Sequence, residues 1–265
     1  MLVRRILARC FMAQLAAVLL AFLAAGVPDA QAGLPEAVLR VKPAVVAVGT
    51  FQKTRSPPFM FRGTGFAVDN GLLVATNAHV VPEALKTESG ETLMVLVQMP
   101  GARDPEARVA KVVTLDKEHD LALLRITGSP LPAVTLGDSD AVRDGQSIAF
   151  TGFPIGQVLG FHAITHRGIV ASLTPIAIPA GNANQLDSRA VGRLKAPPII
   201  MFQLDATTYA GHSGSPVFDE NTGEVLGVVN MGFLRGMKDP VVGQASNISF
   251  AVPARFLREL IVGTR

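Results

Sequence analysis

The chain has 265 residues, 49% hydrophobic and 17% charged, enough apolar material for one or two cores. The formal net charge is +3, but residues 1–32 hold Arg4, Arg5 and Arg9 against Asp29 alone. The remainder keeps 21 of the 24 basic and 20 of the 21 acidic residues and is near neutral. With no Lys/Arg cluster and a single Tyr, nothing in this composition suggests a nucleic-acid surface, and no nucleic-acid partner is expected.

The first 32 residues read as a secretory signal. Three arginines make a positive start, and the apolar run 11–25 is short for a membrane span. Ala30-Gln31-Ala32 fits a small-residue cleavage site. An uncleaved anchor is the alternative, and the Arg4-Arg5 pair leaves a twin-arginine route open. The protein is thus expected in the periplasm or outside the cell, free of the membrane once the signal is cut. The single cysteine, Cys10, lies inside that signal, so the mature chain has no disulfide and rests on its core. No CxxC, HExxH or His/Cys cluster is present, and no metal or cofactor is expected.

Residues 34–41 read as a short helix stopped by Pro43. A Val-rich run at 44–51 follows, then a loop at 52–62. The runs 63–68 and 72–76 are joined by Asp69-Asn70-Gly71, a hairpin signal. Further strands are expected at 93–98, 108–114 and 121–126. Residues 82–86 read as helical. After a Pro/Gly/Ser/Asp-rich stretch at 128–140, a second set of strands is expected at 147–151, 162–172, 199–204, 216–218, 225–230 and 248–252. Residues 174–198 form a long loop rich in Pro, Ala, Asn and Gly, and 253–262 a closing helix. Loops of that length are usually functional or mobile.

The pattern is all-β: two six-stranded antiparallel β-barrels, with short helices near the two ends. A single large sandwich is the structural alternative. The implied organisation is a signal at 1–32, one barrel at 33–127, a linker at 128–140, and a second barrel with its helix at 141–265.

One stretch invites a chemical reading. In Gly211-His212-Ser213-Gly214-Ser215-Pro216 a serine stands between glycines, just before an apolar strand. Taken alone it reads as a Gly/Ser turn. A serine hydroxyl becomes a nucleophile only with a base to take its proton. Five histidines follow the signal: His79, His119, His162, His166 and His212. His79 ends a strand among small residues, where it can point into a cleft or pack as an ordinary buried histidine. Asp120 abuts the apolar run 121–126, so its carboxylate is partly buried and needs a partner such as an imidazole N–H. Its alternative is a turn aspartate like the nearby Asp116.

Thr76-Asn77-Ala78-His79-Val80-Val81, His119-Asp120-Leu121-Ala122-Leu123-Leu124-Arg125 and Gly211-His212-Ser213-Gly214-Ser215-Pro216 occur in the order His, Asp, Ser. They resemble the three signatures of trypsin-like serine proteases, most closely the HtrA/Deg group of exported proteases. Gly63-Thr64-Gly65-Phe66, Phe153-Pro154-Ile155-Gly156, the run 165–172 and Ser249-Phe250-Ala251-Val252-Pro253 are similar to other segments of that group.

The resemblance implies a chymotrypsin-like fold in which Ser213 attacks a peptide carbonyl, His79 is the base and Asp120 orients the imidazole. It implies an oxyanion hole from the N–H groups of Gly211 and Ser213. Substrate would be bound by Thr207, Thr208, Tyr209, Asn230, Met231 and Gly232, the last two offering a backbone edge. With no Asp or Glu among Thr207, Thr208 and Tyr209, small or medium aliphatic residues are expected before the scissile bond. Polypeptides, unfolded or misfolded, are the expected partners, in a quality-control role; oligomerisation is left open.

The family usually has Asn or Asp where His212 stands and Gly where Ser215 stands. Activation by a newly cut N-terminus is therefore not expected, and loop ordering is. No PDZ domain is expected after the protease module. A second reading keeps the fold but makes the protein a catalytically weak or inactive peptide binder.

Overall fold

A strand in a small barrel should alternate, one face to the interior and one to solvent. Several strands here do not alternate, and the reason organises the fold. A computed structural model describes residues 33–99, 101–154, 160–176, 198–230 and 248–264. The expected signal at 1–32, the bulk of the 174–198 loop, and Met231 and Gly232 lie outside the described residues.

The six strands of the first barrel are β1 (Val45–Phe51), β2 (Phe59–Val68), β3 (Leu73–Thr76), β4 (Thr92–Val97), β5 (Glu106–Asp116) and β6 (Leu121–Ile126). They close in the order β1-β2-β3-β6-β5-β4. The second barrel holds β7 (Ser147–Gly152), β8 (Ile164–Ile176), β9 (Ile199–Asp205), β10 (Pro216–Asp219), β11 (Val225–Val229) and β12 (Ile248–Pro253), closing as β10-β11-β12-β9-β8-β7. Every strand pairing in both barrels is antiparallel.

Val46, Val48, Ala67, Val74, Val95 and Leu124 point into the first barrel. Ile148, Phe150, Val170, Leu204, Val217 and Val229 fill the second. Their neighbours on the opposite faces are buried too. Val45, Ala47, Phe66, Val68, Leu73, Ala75, Leu121 and Leu123 join Ala149, Phe153, Phe218, Val228 and Val252 in a third cluster between the barrels. Strands buried on both faces read as continuous apolar runs, as in Leu121-Ala122-Leu123-Leu124.

Helix α1 (Leu34–Val41) buries Ala37 and Val41 in that third cluster, with the Gly33 N–H donating to Glu36 Oε2 at 3.0 Å. The α-helix ends at Val41, before Pro43 as expected, and is followed by a 3₁₀ turn, Lys42–Ala44. Helix α2 (Ala254–Val262) inserts Ala254, Leu257 and Ile261, spaced at helical intervals.

Residues 128–140 are stitched to both barrels. Leu131 N–H donates to Gly71 O and Val134 N–H to Ala67 O, while Val225 N–H donates to Thr135 O.

Three expectations need correction. Residues 82–86 are not helical; the 3₁₀ turn falls at Thr87–Ser89, because five residues with one half-buried leucine do not repay helix nucleation. Strand β2 begins at Phe59, well inside the expected 52–62 loop; a bulge at Val48/Gly49 lets pairing continue to Phe51↔Phe59. Strand β8 likewise runs past 172 to Ile176 through a bulge at Val170/Ser172, so Thr174, Pro175 and Ile176 pair with β9 rather than opening a loop.

Candidate active site

The end of β3 turns sharply: Asn77 is extended, and Ala78–Val80 make one 3₁₀ turn. The peptide before β6 is bound to this turn at several points. Asp120 O accepts from Ala78 N–H at 3.1 Å and from Asn77 Nδ2 at 3.0 Å. Asp120 Oδ1 accepts from His79 N–H at 2.9 Å, and Oδ2 takes the His79 Nδ1–H at 2.5 Å. Asp120 sits at φ 54°, in the left-handed region that only short polar side chains adopt at modest cost. Backbone and carboxylate together hold it there. With Nδ1–H committed to Asp120, His79 Nε2 is free to accept, and Ser213 Oγ lies 3.0 Å from it. Both side chains of the His79–Asp120 pair remain about a quarter exposed, so the ring edge is reachable from solvent.

Ser213 comes from the second barrel on two consecutive turns. His212 N–H donates to Tyr209 O at 3.0 Å, and Ser215 N–H donates to His212 O at 2.9 Å. The third residue of each turn is a glycine at positive φ, Gly211 at 106° and Gly214 at 86°. That is the type II arrangement, which requires glycine there. A Cβ on Gly211 would run into Phe153 O and the Phe61 ring; one on Gly214 would run into Thr64 O. Among the described residues, these turns use neither the Gly211 N–H nor the Ser213 N–H.

Thr64, fully buried in β2, fastens this loop to the first barrel. Its N–H donates to Ser213 O (2.8 Å) and its Oγ1–H to Gly211 O (2.7 Å). Oγ1 also accepts from Phe153 N–H at 3.1 Å, and its carbonyl accepts from Thr76 Oγ1–H at 2.6 Å. In the sequence Thr64 stands out only as part of Gly63-Thr64-Gly65-Phe66. The signal that it matters is a β-branched hydroxyl between two glycines, with Thr76 standing just before His79.

His212 is wholly buried, and its Nδ1 accepts the Tyr209 N–H at 2.9 Å. The ring packs edge-on to Phe150 and His166, with centroids at 5.2 and 4.9 Å. Burial, and secondarily the nearby His166, push its pKa down to about 3, so the ring is neutral at physiological pH. Ser215 is buried, and its hydroxyl occupies the space that Gly152 leaves by lacking a side chain.

Of the expected substrate-binding residues, Thr207 and Tyr209 are exposed, and Thr208 is half-buried. Ser249 Oγ–H donates to Ala206 O at 2.9 Å, so the Thr208 hydroxyl donates in turn to Ser249 Oγ at 2.7 Å. Asn230 is buried, its N–H donating to Phe250 O at 2.8 Å. Thr207, Thr208 and Tyr209 bring no charge to this side of Ser213.

Residues 63–228 match the family model described as a trypsin-like peptidase domain. A probable periplasmic serine endoprotease DegP-like of Marinomonas sp. (strain MWYL1) is 29% identical over 75% of this chain and 34% of its own length. A protein of the same name from Chlamydia trachomatis serovar D is 31% identical over 76% of this chain and 33% of its own. Protease Do-like 5, chloroplastic, of Arabidopsis thaliana is 32% identical over 72% and 53% respectively. The chain thus spans about a third of the length of the DegP-like relatives and about half of the chloroplast protein.

Proposed function

This chain belongs to the trypsin-like peptidase family, among relatives named DegP-like and Do-like, and we propose that it is an exported serine endopeptidase working through Ser213, His79 and Asp120. The reading is carried by the unbroken line of hydrogen bonds from Asp120 Oδ2 through His79 to Ser213 Oγ. Ser213 Oγ attacks the scissile carbonyl carbon as His79 Nε2 takes its proton. Asp120 holds the Nδ1–H tautomer and stabilises the imidazolium, which then protonates the leaving amine. The N–H groups of Gly211 and Ser213 receive the oxyanion, a contribution on the order of 10²–10³ in rate per donor. Water repeats the sequence on the acyl-enzyme.

The uncharged Thr207, Thr208 and Tyr209 favour small or medium aliphatic residues before the cut. Unfolded polypeptides outside the cytoplasm are the proposed substrates, a role in keeping with the periplasmic names of several relatives.

The test is labelling with a valine phosphonate probe, followed by digestion of a peptide library. Wild-type protein is expected to label and Ser213→Ala not, with cuts after Val, Ala, Ile or Leu. Wild type that fails to label while still binding peptides would instead make the protein a binder on a protease fold. Efficient cutting after Lys or Arg would overturn the specificity reading alone.

A further inference from the structure

We propose that the His212 imidazole is the latch of the oxyanion loop: a positioning residue that holds the Tyr209–His212 turn closed and thereby aims the Gly211 N–H. The inference rests on Ser213 being the nucleophile.

Four observations carry it. First, His212 takes both polar groups of the Tyr209 main chain. Its N–H donates to Tyr209 O, and its Nδ1 accepts the Tyr209 N–H. The turn is closed from both sides by one residue.

Second, Gly211 is the third residue of that turn, at φ 106°. The peptide joining Ala210 to Gly211 is the middle peptide of the turn, and its orientation distinguishes a type II turn from a type I turn. Whatever holds the turn in the type II form therefore decides which way the Gly211 N–H faces.

Third, the ring is wedged in place. Phe150 and His166 meet it edge-on, and Tyr209 lies 6.0 Å away at 53°. His166 on β8 and Tyr209 on the loop are the titratable groups in these ring contacts, and Phe150 on β7 is apolar.

Fourth, acceptance at Nδ1 fixes the proton on Nε2. That nitrogen is buried and has no partner among the described residues. The geometry accepts an orphaned N–H at one end of the ring to keep an acceptor at the other. A ring kept for filling space alone has no need of that orientation.

The consequence concerns how the loop is ordered. A carboxylate here would need a buried cation to pair with. A neutral imidazole needs only the Tyr209 N–H, which the same loop supplies, so the oxyanion loop closes without a newly cut N-terminus.

The test compares His212→Leu, near histidine in volume but without an acceptor, with His212→Asn, whose Oδ1 can stand where Nδ1 stands. Kinetics on a valyl peptide p-nitroanilide at pH 8 should show kcat down about 100-fold in His212→Leu with KM within about threefold, the cost of one misplaced oxyanion donor. His212→Asn should bring kcat back to within about fivefold of wild type.

Unchanged kcat in His212→Leu, a loss confined to KM, or an Asn variant as slow as the Leu variant overturns the latch. Long-range ¹H–¹⁵N spectra of the wild-type histidines give a readout independent of turnover. The Nε2–H tautomer is expected for His212, and an Nδ1–H tautomer overturns the proposal even if His212→Leu fails to fold. Wild type that hydrolyses nothing yet shows the Nε2–H tautomer would sink the peptidase reading and leave the turn geometry standing.

Discussion

At the scale of single residues, the site depends on two groups that do no chemistry themselves. Thr64 uses its N–H, its carbonyl and its hydroxyl at once, and every partner lies on a segment that shapes the Ser213 loop or the end of β3. Thr64→Val keeps the shape but leaves Gly211 O and the Phe153 N–H without that hydroxyl. Burying such groups unpaired costs about 1–3 kcal/mol. The expected result is a folded protein with kcat down by about tenfold or more, restored in Thr64→Ser, as measured by steady-state kinetics beside a thermal melt.

His212 makes a separate prediction about acidity. Its folded pKa, about 3, lies below the ordinary value of 6.5. A histidine depressed in this way contributes stability fully above its unfolded pKa. It loses that contribution as pH falls from 6.5 towards 3, because the unfolded chain then binds the extra proton. At pH 5 the gap is about 1.5 pH units, or about 2 kcal/mol at most. Thermal melts from pH 8 to pH 5 should show wild type losing several degrees more than His212→Asn. Parallel curves for the two proteins would rule this account out.

Among elements, the legible ones carried their own punctuation. The hairpin between β2 and β3 announces itself in Asp69-Asn70-Gly71, where Asp69 and Gly71 both take positive φ. Helix α1 spans Leu34–Val41, the residues expected of it, with Pro43 just beyond its end. What escaped were the continuations through bulges. Phe59–Phe61 and Thr174–Ile176 belong to strands because Arg62 in β2 and Ala171 in β8 are each one extra residue at a bulge, past which the ladder continues. A bulge is a property of two strands together, so neither strand's sequence reveals it alone. That His79, Asp120 and Ser213 meet could be expected from their three motifs; the contacts of Thr64 could not, since they involve Thr76, Phe153, Gly211 and Ser213 on separate segments.

Helix α2 shows the same dependence on distant partners. Leu257 is fully buried in the cluster between the barrels, and Phe256 stacks on His119, next to Asp120, with centroids 3.8 Å apart. Leu257→Ala should destabilise by about 2–5 kcal/mol, a fall of roughly 5–15 °C in Tm, readable by calorimetry. A Tm within 2 °C of wild type would mean the helix is not part of the cooperative core.

For the whole molecule, the decisive fact is that the site is divided. His79 and Asp120 stand at strand ends of the first barrel, and Ser213 precedes a strand of the second. Thr64 ties them by three hydrogen bonds across the division, to Ser213 O, to Gly211 O and from Phe153 N–H. Each barrel also turns an apolar face to the other: Val45, Ala47, Phe66, Leu73 and Leu123 from the first, Ala149, Phe218, Val228 and Val252 from the second. A barrel standing alone would expose that face to water at about 25 cal/mol per Å² of apolar area. Neither barrel should therefore persist when the other melts, and Ser213 should lose its base at the same denaturant concentration that unfolds the sheets. In a urea titration, far-UV circular dichroism and the rate of phosphonate labelling should fall together in one transition with one midpoint. Two dichroism transitions would show that the barrels fold independently. Labelling lost well before the sheets melt would show that the Ser213 loop opens on its own, with the cluster between the barrels still intact.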